Sequence, residues 1–127
     1  MSDTKTVFSE EERAAMQQRA EELRSTKGLK GAAKKAKELE ACVKAIDALE
    51  GTDKEVAVAL NSIVMEEAPG LDPKTFYGFP AYARDGKVVI FYQPASKFKT
   101  RYGTVNFDEP ANLDDGPMWA VSFAVIG

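Results

Sequence analysis

The stretch from Lys74 to Trp119 constrains the fold more than any other part of the chain. It begins KTFYGFPAYARDGKVVIFYQPASKFKTRYGTVNF and runs on into a turn from Asn112 to Trp119. Asp85-Gly86 is the kind of dipeptide that closes a two-residue β-hairpin, because both central positions of a type I′ turn need a positive φ. Apolar residues on either side recur with a period of 2, so Ala81 to Arg84 and Lys87 to Gln93 are expected to pair. In the second of these strands Val88, Ile90 and Tyr92 share one face, while Val89 and Phe91 share the other. A strand apolar on both faces is expected to be central and covered on both sides. Thr75 to Tyr77 and Tyr102 to Phe107 read as two further strands. Trp119 to Ile126 alternates Trp119, Val121, Phe123 and Val125 with Ala120, Ser122 and Ala124, which predicts a strand with its bulky face inward.

Before Pro73 the period is helical. Ser9 and Glu12 form a capping box, with Glu10 and Glu11 in the first turn where the helix dipole favours carboxylates. The helix they open runs from about Ser9 to Arg24. Its apolar face, Met16, Ala20 and Leu23, is thin, which places it on the outside of the domain or in a mobile arm. Ser25 to Gly31 is a polar linker. Ala36, Leu39, Val43, Ile46 and Leu49 then make the stripe of an amphipathic helix starting at Ala32. Cys42 falls on the flank of that stripe, as a small buried hydrophobe rather than a reactive thiol. Gly51 stands where a helix ends in a left-handed residue. Thr52 and Glu55 suggest a second capping box, followed by a third helix through Val56, Leu60, Ile63 and Val64 that Pro69-Gly70 stops. The expected fold is α+β: a charged N-terminal helix and linker (residues 1–31), then one domain (residues 32–127). In that domain helices pack on one side of a mostly antiparallel, curved sheet of about five strands.

The chain of 127 residues contains no histidine. That removes Ser-His and Cys-His nucleophile pairs and any histidine general base, and with them most hydrolase mechanisms. Cys42 is the only cysteine, so no intramolecular disulfide and no cysteine-based zinc site can form. A metal would meet oxygen ligands only, which selects hard or borderline ions held weakly. The net charge of −3 argues against nucleic acid as partner. No apolar stretch reaches the roughly 20 residues needed to span a bilayer, and the N-terminus does not read as a secretory signal. The expectation is a cytoplasmic protein without a membrane partner.

The run Lys74-Thr-Phe-Tyr-Gly-Phe-Pro-Ala-Tyr82, followed by Asp85-Gly-Lys-Val-Val-Ile-Phe91, resembles the signature of the YdhG-like family. Ala95-Ser-Lys-Phe-Lys-Thr-Arg-Tyr102, Ala111-Asn-Leu-Asp-Asp-Gly-Pro-Met-Trp119 and the helix end Glu66-Glu67-Ala68-Pro69 are similar to its neighbouring blocks. The resemblance covers about Thr52 to Phe123 and is specific as a set rather than motif by motif. It implies a compact α+β fold with a curved sheet. It also implies, from some members, a frataxin-like intracellular iron chaperone that hands Fe(II) to an iron–sulfur assembly protein, with no tightly bound cofactor. Members usually continue into a C-terminal helix where this chain stops at Gly127. Two expectations follow from that difference, a trimmed end or a sheet face left for a partner, and the uncovered last strand adds the expectation of a homodimer.

Three sets of residues are candidates for function. Asp108 and Glu109 in one turn, with Asp114 and Asp115 in the next, would hold a hard divalent ion weakly if their loops converge. Turn formation beside Pro110 and Gly116 accounts for each of them separately. Glu10 to Glu12 and Glu21 to Glu22 form an acidic helix surface, but capping and a solvated face interleaved with Arg13, Arg19 and Arg24 explain them. Tyr77, Tyr82, Tyr92 and Trp119, with Lys97 and Arg101, would line an aromatic and basic cleft for an anionic small molecule or peptide. A sheet core uses such aromatics in any case, and Lys97, Lys99 and Arg101 also suit the role of charged guards on a strand edge. Single-stranded nucleic-acid binding through Phe98 and Tyr102 ranks below these because the chain is acidic. The reading is a binding or carrier protein and not an enzyme: a weak Fe(II) carrier, or alternatively a small-molecule or peptide-binding module.

Overall fold

The computed structural model describes residues 7–127. Three long helices come first: α1 (Glu10–Ser25), α2 (Gly31–Asp47) and α3 (Gly51–Glu67). Then follow β1 (Asp72–Phe76), β2 (Phe79–Arg84), β3 (Lys87–Gln93), a one-turn helix α4 (Ala95–Phe98), β4 (Gly103–Phe107) and β5 (Ser122–Val125). The strands pair antiparallel in the order β1-β2-β3-β4-β5, an open meander. The fold is therefore α+β, helices first and a five-stranded antiparallel sheet after, with helices packed on one side. No helix among the described residues is long and apolar enough to cross a membrane.

Two tight turns set the register of the first three strands. Asp85 (φ 52°) and Gly86 (φ 80°) close β2 onto β3, as the dipeptide predicts. Tyr77 (φ 55°) and Gly78 (φ 81°) close β1 onto β2 in the same conformation. Tyr77 is therefore a turn residue rather than the end of a strand, and β1 begins earlier, at Asp72. Pro73 is tolerated there because β1 is an edge strand that needs no ladder donor on its outer side. β3 is the central strand, with Val88, Ile90 and Tyr92 buried.

The core consists of two clusters. Cys42, Ile46, Leu49, Val56, Ala57 and Tyr92 form one. Val64, Leu71, Tyr82 and Ile90 form the other, and Leu60 of α3 packs against both. The C-terminal half of the α2 stripe, Ile46 and Leu49, is buried as expected, and only its N-terminal half is rotated. Cys42 lies at its centre, 1% exposed, whereas Leu39 and Val43 are about half exposed beside Val58 of α3. On the same inward side Glu38, which the stripe leaves outside, pairs with Lys74 of β1 at 3.3 Å.

Other details also depart from expectation. Ser9 and Glu12 make their capping box at the start of α1, but Met16 and Leu23 of that helix face solvent. Gly51 has its left-handed φ of 58°, yet it opens α3, whose N-cap is Glu50 without a side-chain cap. Thr52 and Glu55 thus form no capping box. Lys97 lies in α4 and Lys99 is its left-handed C-cap (φ 55°), so these residues do not alternate along a strand. Around β5 only Val125 packs against the core. Trp119 and Val121 precede the strand, and with Phe123 they are 39–48% exposed rather than turned inward.

Candidate functional site

The β1–β2 turn presents two backbone N–H groups that its own strands do not use. Both point at one carboxylate from α1: Glu22 accepts from Tyr77 at 3.1 Å and from Gly78 at 2.6 Å. Arg19, one turn earlier, pairs with Glu22 at 3.3 Å. Its guanidinium also sits over the rings of Phe76 (5.3 Å) and Tyr77 (5.9 Å), a cation–π arrangement. α1 is thereby held across the end of the first hairpin, and a β-carbon on Gly78 would press on the Gln18 side chain at 3.2 Å.

Between α1, α2 and the β1 edge this docking leaves a groove of about 530 Å³. Arg19, Lys34, Lys37, Lys44, Lys74 and Lys97 line it, against Glu21, Glu22 and Glu38. Glu22 and Glu38 are committed to Arg19 and Lys74. Lys34 and Lys44, nearly three turns apart on α2, and Lys97 from α4 make no ion pair among the described residues. A local excess of positive charge thus sits in a concave wall on a chain whose net charge is −3. Such a wall concentrates anions.

The helix α4 that carries Lys97 is anchored by Asp53 in the first turn of α3. Its carboxylate accepts from the amides of Ala95 (3.0 Å) and Ser96 (3.1 Å) and from the Tyr92 hydroxyl (3.3 Å). It acts in effect as the cap of α4 and so sets where Lys97 points. Burial opposes the charge of Asp53, but the donors of Ser96, Ala95 and Tyr92 outweigh it and hold the carboxyl below its ordinary value. Burial and the same carboxylate push the Tyr92 phenol up to about 12.

The residues singled out in the sequence are distributed as follows. Lys97 lines the groove, whereas Tyr77 lies in the β1–β2 turn with its amide on Glu22 and does not line it. Tyr82 and Tyr92 are fully buried. The Tyr82 hydroxyl donates to Asn61 at 2.8 Å, and burial raises its pKa strongly. Arg101 stacks over Tyr102 at 5.0 Å, and Trp119 lies in the segment before β5. The six residues therefore do not line one cleft.

Asp108 shapes its own turn: its carboxylate accepts from the Glu109 amide at 2.9 Å and its carbonyl accepts from Ala111. Asp114 and Asp115 are exposed in the following loop. Among the described residues no group of three or more Asp, Glu or Cys side chains is placed to hold a metal ion. Glu22 belongs to the acidic helix surface seen in the sequence, where a solvated face explains it, but it is bound to the β1–β2 turn instead; Asp53, Lys34 and Lys44 are not distinguished by the sequence. The only local hint was the density of lysine on α2, which a solvated helix face explains equally well.

No family model, no curated protein and no solved structure matches the chain.

Proposed function

We propose that this chain is a non-enzymatic binding module whose α1–α2 groove takes a small anionic molecule, held by Lys34, Lys44 and Lys97. The observation that carries this reading is the set of lysines without carboxylate partners in a concave wall, on an otherwise acidic chain. It keeps the basic half of the cleft expected from the sequence and relocates it from the aromatic face of the sheet to the α2 wall. Inorganic pyrophosphate serves as the probe in a thermal-shift titration, against sodium chloride of equal ionic strength. Stabilisation that saturates with pyrophosphate, and that Lys44→Glu abolishes, supports the reading. Equal effects of the two salts refute it.

The resemblance to the YdhG-like family supports a second reading, a weak Fe(II) carrier that uses Asp108, Glu109, Asp114 and Asp115 and passes its ion to an iron–sulfur assembly protein. An anaerobic NMR titration with Fe(II), with Mg²⁺ as control, separates the two. Broadening centred on those four carboxylates favours the carrier, and its absence leaves the groove. Self-association is part of either reading. Ala120 to Ile126 carries no charge, and Val121 and Phe123 are exposed, so an edge of this kind pairs readily with a second copy. Sedimentation velocity over a range of concentrations tests that.

A further inference from the structure

α1 contributes no buried residue to the protein. The stripe it turns toward the rest of the chain is Glu11, Ala15, Arg19, Glu22 and Thr26, each half-buried and nearly all polar. Its larger apolar side chains, Met16 and Leu23, face solvent. A helix that buries so little apolar area gains little from packing, which is where most helical stability in proteins arises.

What holds α1 is therefore polar. The Lys99–Glu11 pair at 3.1 Å is weak, since the lysine side chain is 77% exposed. Arg19 over Phe76 and Tyr77 adds a partly exposed cation–π contact. The strong contact is Glu22: its carboxylate side chain is 12% exposed and takes two N–H groups of one turn. Between α1 and α2 the chain passes through Gly28 (φ 81°) and reaches Gly31 (φ 60°), positions at which it can re-aim a helix with little steric penalty. When α1 is docked, Gln18, Arg19, Glu21 and Glu22 form one wall of the groove.

We infer that α1 is a strap that opens and closes the groove by local undocking, with the Glu22 carboxylate on the Tyr77–Gly78 turn as its latch. Charge works in the closing direction as well, because Glu21 and Glu22 face the lysine-rich wall of α2. An anion that neutralises the wall from inside removes part of that attraction and repels the same two carboxylates, so its binding favours undocking. The gating role rests on the groove being a ligand site, whereas the latch is a property of the free chain.

Hydrogen exchange of the full chain, read by mass spectrometry, tests both. In the wild type, α1 amides exchange at least about tenfold faster than those of α3, as expected of a unit that opens by itself. Glu22→Ala speeds α1 exchange about a further tenfold, the loss expected for charge-assisted bonds, and leaves α3 and β3 unchanged. Glu22→Gln, which keeps one acceptor, falls between. The inference is overturned if α1 and α3 exchange together in the wild type, or if Glu22→Ala leaves α1 unchanged. Loss of α3 and β3 protection in that variant also overturns it, because α1 would then belong to the cooperative core. Pyrophosphate that alters α1 exchange supports the gate. Pyrophosphate without effect, beside a Glu22→Ala variant that still loosens α1, refutes the gate and the groove reading while the latch stands.

Discussion

A β-carbon on Gly103 would lie 2.5 Å from the phenol oxygen of Tyr92. Tyr92 faces Val105 across the β3–β4 ladder, and Gly103 is the next residue of β4 on that face. The ring lies over it, which lets the hydroxyl reach Asp53. Glycine is needed here for space and not for backbone conformation. Gly103→Ala forces the ring out of a site that is 0% exposed, and overpacking of this kind costs about 1–3 kcal/mol. Urea denaturation is expected to show a lower midpoint with an unchanged slope. In the Tyr92→Phe background the same substitution should cost measurably less, because the atom it strikes first is gone.

Asp53 ties three elements together, so its charge state is expected to enter the stability curve. Its folded pKa lies below the ordinary 3.8. A depressed carboxylate contributes stability that is complete above the unfolded value and is lost as pH falls through the folded value. Wild-type stability should therefore fall between about pH 4 and lower pH by more than that of Asp53→Asn. At neutral pH, Asp53→Ala leaves the Ala95 and Ser96 amides and the Tyr92 hydroxyl without their acceptor and should cost about 2 kcal/mol. Chemical denaturation of the two variants from pH 7 down to pH 3 checks both statements.

The parts of the fold that were legible in the sequence are those decided locally. Asp85-Gly86 specifies its turn because aspartate and glycine accept positive φ without help. Tyr77-Gly78 adopts the same turn, but the pattern ends a strand at Tyr77, since a tyrosine at φ 55° looks improbable until Glu22, 55 residues earlier, is seen holding its amide. In the α2 stripe Ile46 and Leu49 are buried as the pattern predicts, whereas Leu39 and Val43 give way to Glu38 and Cys42. Glu38 counts as a solvent residue in any hydrophobic pattern, yet Lys74 draws it inward. The inverted face of α1 follows from the same rule, because its anchor is a carboxylate and periodicity weighs only apolar residues. The groove shows the limit most clearly. Lys34 and Lys44 on one helix and Lys97 on another are each an ordinary surface lysine in sequence, and only the Asp53 cap on α4 brings Lys97 to the same wall.

Cys42 offers a simple check on the packing of α2. It is 1% exposed, and burial pushes its thiol up to about 11. The thiolate is the reactive form, so at pH 8 the folded protein should resist iodoacetamide for hours. Labelling followed by mass spectrometry should show rapid modification only in denaturant. Cys42→Ser puts a hydroxyl in the same apolar cluster and should destabilise by about 1–3 kcal/mol.

Reversal of charge in the groove should act on anion binding and not on the fold. Lys34, Lys44 and Lys97 make no ion pair among the described residues, so Lys44→Glu or Lys97→Glu breaks no ion pair; each reverses a charge in the last turn of its helix and should cost no more than about 1 kcal/mol. Each places a negative charge beside the anion instead, which at partly exposed sites is expected to weaken pyrophosphate binding about tenfold or more. The double variant should bind no detectable pyrophosphate, and wild-type affinity should fall as salt is added, because exposed charges are screened beyond about 8–10 Å at physiological ionic strength. Isothermal titration calorimetry at two salt concentrations measures this. Wild-type affinity independent of salt, or unchanged in Lys44→Glu, would place any anion site elsewhere on the molecule.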